Sequence, residues 1–291
     1  MRVRRLGLSL APVLAAGLIA TPAAASAPPL RYVALGDSSA AGPLIPREID
    51  ATCLRSDRNW PHVLAGLLRA ALTDVTCSGA KTTDLAGRQF GEVAPQYDAL
   101  RPDTDLVTLA IGANDILLGS AFVTCANPQP PPTGPTCRER HTVDGVDQYA
   151  ARIDATAPKV AAALEEIHRR SPRADVVVVG YLTYWRRGGC YPADPFTSAD
   201  ADYLQATFDR LMAMLARQAA AHDAIYVDIR RPSARHGLCE PPARRWLEGA
   251  VPASPAYPYH PNAAGMARAA GIIAEAVRDR GSHGPRTPVR R

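Results

Sequence analysis

The sequence predicts an α/β protein in which five parallel strands form one sheet that is covered by helices on both faces. Three observations support this fold class. Short apolar runs alternate along the chain with longer segments of helical periodicity. The strand-like runs are almost wholly apolar, as strands buried on both faces are. Polar turn sequences follow several of these runs, and the ends of parallel strands meet at one edge of a sheet.

The five predicted strands are short and most of them end in turn-forming residues. In chain order they lie at residues 32–35, near 74–76, and at 105–111, 175–180 and 224–228. The fourth is the most strongly β-branched, because it contains four consecutive valines. Each of the five is short enough to be a strand and too short to be a typical helix.

The predicted helices separate these strands. They lie at residues 59–72, from 146 to about 170, from 198 to about 221, and from 262 to about 278. Asn59 is a suitable N-cap for the first, with Pro61 in its first turn. Residues 128–136 and 230–259 interrupt the alternation, and their content of Pro, Gly and Arg predicts loops that disulfides hold in place.

The chain begins with a pattern typical of a secretory signal peptide. Arg2, Arg4 and Arg5 precede an apolar run of about 15 residues, and small residues follow it. The run is shorter than the ~20 residues needed to span a bilayer, so a membrane anchor is disfavoured. The predicted organisation is a signal peptide at 1–27, cleaved after Ala25 or Ala27, a single domain at 28–280, and a disordered tail at 281–291. The protein is therefore expected to be secreted.

Charge and composition exclude several classes of partner. The formal charge of +5 falls to about −2 once the arginines of the signal peptide and of the tail are set aside. The folded body therefore offers no basic field for nucleic acid. No segment after the signal peptide is long and apolar enough for a stable membrane span. A monomer without a cofactor is expected.

Six cysteines in an exported chain predict three disulfides. They are Cys53, Cys77, Cys125, Cys137, Cys190 and Cys239. A zinc site is the competing interpretation, but the sequence contains no C-x-x-C pair and no close cluster of Cys and His, so no metal is expected. The sequence leaves many pairings open. The simplest is sequential, namely Cys53–Cys77, Cys125–Cys137 and Cys190–Cys239.

Four short segments carry residues that could perform hydrolysis. Ser38 follows the first strand in a turn that contains Gly36, and Gly79 follows the second strand. Asn114 follows the third, and His260 precedes the last helix. Each has an ordinary explanation when taken alone, as a helix cap, a turn residue or a loop histidine. Their combination at strand or loop ends instead indicates a serine nucleophile, a histidine base and a set of oxyanion donors.

These segments together resemble the four conserved blocks of the SGNH hydrolases, also called the GDSL lipase/esterase family. The matching residues are Gly36-Asp37-Ser38-Ser39, Gly79, Gly112-x-Asn114-Asp115 and His260-Pro261-Asn262. The resemblance implies a flavodoxin-like, three-layer α/β/α fold. It implies Ser38 as nucleophile and His260 as base, with an oxyanion hole made by the Ser38 and Gly79 amides and the Asn114 side chain. Sequential disulfides are similar to those of secreted bacterial members.

One position departs from the family pattern. The family usually has an aspartate three residues before the histidine, where this chain has Tyr257. The acid holds the imidazole in the correct tautomer, which a backbone carbonyl can also do. The leading hypothesis is a Ser-His dyad completed by the carbonyl of Tyr257 or Pro258. The alternatives are a distant carboxylate, with Asp228 best placed, and a site that has decayed.

The expected activity is that of a secreted serine esterase or lipase that acts through an acyl-enzyme. Apolar residues near the predicted site favour lipid or alkyl esters, provided that these residues converge on an acyl pocket. They are Leu117, Leu118, Phe122, Tyr184, Trp185, Tyr257 and Tyr259. Two alternatives stay open: a carbohydrate O-acetylesterase with a shallow polar site, and a non-catalytic secreted binding protein on the same fold.

Overall fold

A five-stranded parallel sheet forms the centre of the computed structural model, which describes residues 28–127 and 133–281. Its strands are β1 (Arg31–Gly36), β2 (Ala71–Asp74), β3 (Leu106–Ala110), β4 (Asp175–Val179) and β5 (Ile225–Val227). Their spatial order is β2-β1-β3-β4-β5, and every pairing is parallel. This is the flavodoxin-like order. The predicted fold class is confirmed.

Within residues 28–127 and 133–281, eight α-helices connect the strands or cover the sheet. They are α1 (Ser38–Ala41), α2 (Trp60–Leu68), α3 (Leu118–Thr124), α4 (Cys137–Arg140), α5 (Gln148–Arg170), α6 (Ser198–Ala221), α7 (Arg230–Ser233) and α8 (Ala263–Gly281). Helix α2 packs against α8, and α5 packs against α6. Right-handed connections that leave β1 and β3 in opposite directions put these two pairs on opposite faces of the sheet.

Short elements fill the remaining connections. Two small antiparallel hairpins pair Glu48–Asp50 with Arg55–Ser56 and Thr142–Val143 with Val146–Asp147. Single turns of 3-10 helix lie at Thr82–Leu85, Gln96–Ala99 and Pro242–Arg244. The segment predicted as a loop at 230–259 therefore contains one helical turn of each kind. The loop predicted at 128–136 lies partly outside the described residues, since 128–132 are not described.

Several boundaries differ from the sequence prediction, and three of the differences affect α2, β2 and α5. Helix α2 ends at Leu68, not near residue 72, because Arg69 adopts a left-handed conformation with φ 52° and its amide closes the helix. Strand β2 consequently starts at Ala71, earlier than the predicted 74–76. Helix α5 starts at Gln148, because the Asp147 side chain caps its first turn.

The termini of the chain bear on two further predictions. The signal peptide predicted at 1–27 lies outside the described residues. Helix α8 extends to Gly281, and the remainder of the predicted tail, 282–291, also lies outside them. Among the described residues, no helix combines the length and the apolar character that crossing a bilayer requires.

The core lies on both faces of the sheet. All five residues of β3 are buried, as are four of the five in β4. The direction of the connections reverses between β1 and β3, and in sheets of this order ligand sites lie in the crevice beyond the carboxyl ends of the strands at that point. Residues that follow β1 and β3 lie at this crevice.

Candidate active site

The turn after β1 positions Ser38 at the carboxyl edge of the sheet. Gly36 has φ 151°, and a Cβ there would lie 2.6 Å from the Ala110 carbonyl oxygen, so only glycine lets β1 run this close to β3. Asp37 then caps α1 by accepting a hydrogen bond from the Ser39 amide. Ser38 is the first residue of this short helix, and its side chain is partly exposed.

The Asp37 carboxylate is the buried anchor of this turn. It accepts hydrogen bonds from the Ser39 amide at 2.9 Å, the Ser39 hydroxyl at 2.7 Å and the Tyr181 hydroxyl at 2.7 Å. Burial raises the pKa of Asp37 to about 6, although these hydrogen bonds oppose the shift. The folded pKa lies above the ordinary value. The contribution of Asp37 to the free energy of unfolding therefore falls as the pH rises from about 4 to about 6.

Gly79 lies on a loop that a disulfide and several backbone contacts hold. Cys77, at its start, is bonded to Cys53, and the Ser78 amide donates to the Cys53 carbonyl at 3.0 Å. The Gln89 side chain donates to the Ser78 carbonyl at 2.8 Å. Gly79 itself has φ 82° and is exposed, so its backbone can be approached from the crevice.

Asn114 follows β3 and faces the same loop. Its side-chain amide donates one hydrogen to the Ala80 carbonyl at 2.9 Å, which leaves the second hydrogen for another acceptor. The next residue, Asp115, accepts from the Thr82 amide at 3.0 Å and from the Thr82 hydroxyl. The loops that carry Gly79 and Asn114 are thus joined by two sets of hydrogen bonds.

His260 completes the cluster from the loop before α8. Its Nε2 lies 2.8 Å from the Ser38 Oγ, and its Nδ1 lies 2.8 Å from the Pro258 carbonyl oxygen. A carbonyl oxygen can only accept, so Nδ1 carries the proton and Nε2 accepts from the serine hydroxyl. Burial lowers the pKa of His260, and the hydrogen bond to Pro258 opposes that effect. The imidazole is therefore neutral near pH 7, which suits a base.

The structure brings the four sequence-predicted residues to one place. Ser38 and His260 are in direct contact, and the loops of Gly79 and Asn114 adjoin each other. Among the described residues, the backbone N–H groups of Ser38 and Gly79 have no hydrogen-bond acceptor. A hydroxyl paired with a neutral imidazole can give up its proton as it attacks a carbonyl carbon, and unpaired N–H groups nearby can hold the oxyanion that forms.

Comparison with protein families agrees with this chemistry. Residues 34–268 match the model of the GDSL-like Lipase/Acylhydrolase family, which includes the segments around Ser38, Gly79, Asn114 and His260. The chain belongs to this family. It is a carboxylic ester hydrolase.

Relatives of this hydrolase come from streptomycetes. It is 39% identical to Lipase 2 of Streptomyces coelicolor over 261 residues, which cover 86% of each chain. It is 31% identical to a lipase of Streptomyces rimosus over 268 residues, which cover 90% of this chain and 92% of that one.

Two solved structures share the fold over most of the chain. One is phospholipase A1 from Streptomyces albidoflavus, with a TM-score of 0.70 and 26% identity, covering 86% of this hydrolase and 99% of that chain. The other is the extracellular lipase of Streptomyces rimosus, with a TM-score of 0.71 and 28% identity, covering 85% and 99%.

The three groups considered for orienting the histidine of this hydrolase have different partners. The Pro258 carbonyl contacts Nδ1. The Tyr257 carbonyl accepts from the backbone amide of His260 instead, at 3.1 Å, and the Tyr257 ring stands edge-on to the imidazole. The Asp228 carboxylate accepts from the amides of Arg230 and Arg231, where it caps α7.

Most of the apolar residues expected to form an acyl pocket pack against each other instead. The Phe122 and Tyr259 rings are stacked with centroids 4.3 Å apart, and the Tyr184 and Trp185 centroids lie 5.9 and 6.2 Å from that of Phe122. Tyr184, Trp185 and Tyr259 are buried, so this cluster supports the histidine loop and leaves little surface for a substrate. Leu117 and Tyr257 remain exposed.

Sequence reasoning missed the residues that hold the loops in place. Tyr181 donates to Asp37 and accepts from the Ala113 amide at 3.1 Å, so one hydroxyl joins the turns after β1 and β3. The Gln96 side chain binds both the N–H and the carbonyl of Gly36, at 2.7 and 3.0 Å. Tyr181 lies two residues after the end of β4, so its position close to a strand end was the available signal.

The cysteines form three disulfides that join sequential pairs, Cys53–Cys77, Cys125–Cys137 and Cys190–Cys239. Within the described ranges, the one group of His, Cys and acidic side chains close enough to hold a metal ion is Cys125, Cys137 and His141. Its two sulfurs are bonded to each other, so they cannot act as thiolate ligands.

Proposed function

We propose that this hydrolase is a secreted esterase or lipase that cleaves lipid or alkyl esters through a dyad of Ser38 and His260. The observation that carries the proposal is the chain of two 2.8 Å hydrogen bonds from the Ser38 hydroxyl through the imidazole to the Pro258 carbonyl. The names of the relatives, lipases and a phospholipase A1, support a lipid ester as substrate.

The proposed reaction proceeds through an acyl-enzyme. His260 Nε2 takes the hydroxyl proton while Ser38 Oγ attacks the ester carbonyl carbon. The carbonyl oxygen becomes an oxyanion that accepts from the Ser38 and Gly79 amides and from the free hydrogen of the Asn114 side chain. The bond to the alkoxy oxygen breaks, and that oxygen takes the proton from His260. Water then repeats both steps and releases the acid.

The Pro258 carbonyl takes the role that a carboxylate has in a full triad. It holds the Nδ1 proton and fixes the orientation of the ring, although a neutral oxygen stabilises the imidazolium less than a charged one. Asp228 has no part in the proposal, because its carboxylate caps α7.

Secretion and a monomeric state belong to the same proposal. Residues 1–27 have the pattern of a signal peptide, and three disulfides suit an oxidising compartment. The Streptomyces rimosus structure is that of an extracellular lipase, which supports the same compartment here. The domain is proposed to span residues 28–280 as a single unit.

Hydrolysis of p-nitrophenyl esters from acetyl to palmitoyl tests the proposal, using oxidised protein without residues 1–27. We expect turnover by the wild type and a loss of about 10⁴-fold or more in Ser38→Ala, because the nucleophile is removed while the fold is kept. The chain length with the highest kcat/KM would measure the acyl preference.

Asp228→Asn is the matched control. If a carbonyl orients His260, kcat/KM should stay within a few-fold of the wild type. A loss of about 10⁴-fold would identify Asp228 as the acid of a triad and would contradict the dyad. Turnover that survives in Ser38→Ala would contradict the serine mechanism altogether.

A further inference from the structure

Four large apolar side chains on the loops around the candidate site are exposed to solvent. Leu44, Phe90, Leu117 and Tyr257 are 48%, 64%, 44% and 46% exposed. We call these four residues the apolar collar. Scattered apolar side chains on a surface are ordinary, so exposure alone does not point to a function. Their position and their backbone conformation do.

Three collar residues belong to loops that carry a group of the proposed mechanism, and the fourth, Phe90, lies against such a loop. Leu44 follows the helix of Ser38, and the preceding residue, Pro43, accepts from the Tyr257 amide at 2.9 Å. The Leu117 amide donates to the Asn114 carbonyl at 3.2 Å. The Tyr257 ring centroid lies 5.3 Å from that of His260.

Phe90 reaches the same place from the turn that supports Gly79. The ring of Phe90 lies 4.0 Å from the point that a Cβ on Gly79 would occupy. Gln89, beside it, donates to the Ser78 carbonyl. The collar therefore has one member on, or packed against, the loop of Ser38, Gly79, Asn114 and His260 in turn.

Three collar residues adopt a conformation that disfavours their own side chains. Leu44, Phe90 and Leu117 have φ of 60°, 57° and 60°. Bulky residues are rare in this left-handed region, which Gly and Asn adopt more readily. Neither the local backbone nor contact with water favours an apolar residue at these three positions.

The choice of residue conflicts with local preferences in two further ways. Phe90 and Gly91, with φ of 57° and 81°, are the central pair of a tight turn in which the Glu92 amide donates to the Gln89 carbonyl at 3.2 Å. Asn-Gly is the favoured pair in such a turn. Leu117 is the N-cap of α3, a position where a polar side chain would accept a backbone hydrogen bond and leucine cannot. Strained residues of this kind are a basis for inferring function.

We propose that the apolar collar inserts into the surface of aggregated lipid, so that the ester enters the crevice directly from that surface. The inference rests on the proposed function, because binding a lipid surface at the collar serves hydrolysis only if Ser38 is the nucleophile. A protein partner seated on the same residues would cover the nucleophile, whereas a lipid surface would supply its substrate.

Apolar insertion, not charge, is the expected source of this affinity. Arg88 and Glu92 lie two residues on either side of Phe90, and their opposite charges balance each other. The Arg88 guanidinium also donates to the Glu92 carbonyl at 3.0 Å, which holds it against the turn. The collar therefore suits a zwitterionic surface, and its binding should change little with salt.

Co-sedimentation with phosphatidylcholine vesicles tests the inference, using the Ser38→Ala protein so that no lipid is consumed. We expect this protein to bind, and the further changes Phe90→Asn and Leu117→Asn together to lower the partition coefficient by about tenfold or more. Asparagine suits the left-handed backbone, so the thermal midpoint should be equal or higher in the variant.

Leu67→Gln is the matched control, because Leu67 is 44% exposed, like Leu117, and lies in the last turn of α2 at the opposite edge of the sheet. It should change vesicle binding by less than about twofold. In proteins that keep Ser38, the ratio of activity on an emulsified ester to activity on a soluble one should fall in the collar variant and not in the control.

The outcomes separate the inference from the proposed function. Failure of Ser38→Ala to bind vesicles, or equal binding by the collar variant, would overturn the inference, while hydrolysis of a soluble ester by the wild type would still support the proposed function. Vesicle binding without hydrolysis of any ester would support the inference about the collar and would contradict the proposed function. A dimer in lipid-free solution that the collar changes convert to a monomer would assign the collar to a second copy instead.

Discussion

At the scale of single residues, His260 lies between two hydrogen bonds of equal length but unequal consequence. In the proposed mechanism the bond to Ser38 Oγ transfers the proton, and the bond to the Pro258 carbonyl sets the tautomer. A carboxylate in place of that carbonyl would stabilise the imidazolium and raise the pKa of the histidine. Here burial lowers the pKa, and a neutral oxygen opposes it only partly.

The pH dependence of hydrolysis should record this balance. The base must be neutral, and protonation of a histidine with a lowered pKa requires a lower pH, so activity should persist into mildly acidic solution. We expect the acid limb of kcat/KM for a soluble ester to have its midpoint below the ordinary histidine value of about 6.5. Steady-state kinetics from about pH 4 to 8 would measure it.

NMR titration of the imidazole, assigned with a His260→Gln variant, provides the control. It separates His260 from Asp37, whose pKa is about 6 and lies in the same range. An imidazole that titrates well above its ordinary value would indicate a carboxylate partner and would contradict the role given to Pro258.

The residues that the sequence could predict are those in short local motifs. Ser38, Gly79, Asn114 and His260 each lie in a recognisable block, and the structure brings these blocks together. Tyr181 could not be found in this way, because its partner Asp37 is 144 positions away and no local pattern records the contact. The apolar collar was also missed as a set, because its backbone conformations are visible only in three dimensions.

At the scale of elements, the site depends on loops that hold each other. The turns after β1 and β3 meet at the Tyr181 hydroxyl, which comes from the end of β4. The loops after β2 and β3 meet where Thr82 donates to Asp115. Rigid connections of this kind keep oxyanion donors in place before the substrate arrives, which is where their catalytic value lies.

Tyr181→Phe tests this connection. The change leaves the Ala113 amide and one oxygen of Asp37 without their partner, so we expect a loss of about 1–3 kcal/mol in the free energy of unfolding. The hydrogen bond from Tyr181 lowers the pKa of Asp37, and its loss should move that pKa above about 6. Denaturant unfolding and a pH profile of kcat would measure the two effects, and kcat should fall more than KM changes.

Tyr184→Phe is the matched control, since this neighbouring tyrosine is equally buried but its hydroxyl forms no hydrogen bond among the described residues. It should leave the pH profile unchanged. A purely structural role for Tyr181 would lower stability without moving the profile, and that result would contradict its role in positioning the loops.

The sequence predicted the elements better than their ends. Five strands and the long helices were found from apolar runs and periodicity, because both patterns are local. The end of α2 was wrong because Arg69 closes the helix in a left-handed conformation without a glycine or proline to indicate it. The predicted start of β2 was wrong as well, because this edge strand is only half buried and has no continuous apolar run to mark it.

At the scale of the whole molecule, strand order decides where chemistry can occur. The order β2-β1-β3-β4-β5 puts the connections of β1 and β3 in opposite directions and opens a crevice between them. The apolar runs predict a parallel sheet, but they do not indicate the spatial order of its strands. The order was predicted only through the family resemblance, because strand neighbours are set by packing over long sequence distances.

The three disulfides tie this architecture together at different distances along the chain. Cys125–Cys137, Cys53–Cys77 and Cys190–Cys239 close loops with separations of 12, 24 and 49 residues. In the chain-entropy account, closing these loops stabilises the fold by about 3 kcal/mol for the shortest and about 4 kcal/mol for the longest. Only Cys53–Cys77 adjoins the proposed oxyanion loop, through the Ser78 amide.

Replacing each pair of cysteines by alanine should therefore separate stability from activity. We expect the loss in free energy of unfolding to increase with loop length, so that the Cys190/Cys239 variant loses the most. Activity should follow a different order: kcat should fall most in the Cys53/Cys77 variant, because the loop of Gly79 loses its covalent support. Denaturant unfolding and ester hydrolysis, both under conditions where each variant is folded, would measure the two orders. Equal losses of kcat in all three variants would mean that the disulfides act only on global stability, and would contradict a specific role of Cys53–Cys77 in holding the oxyanion donors.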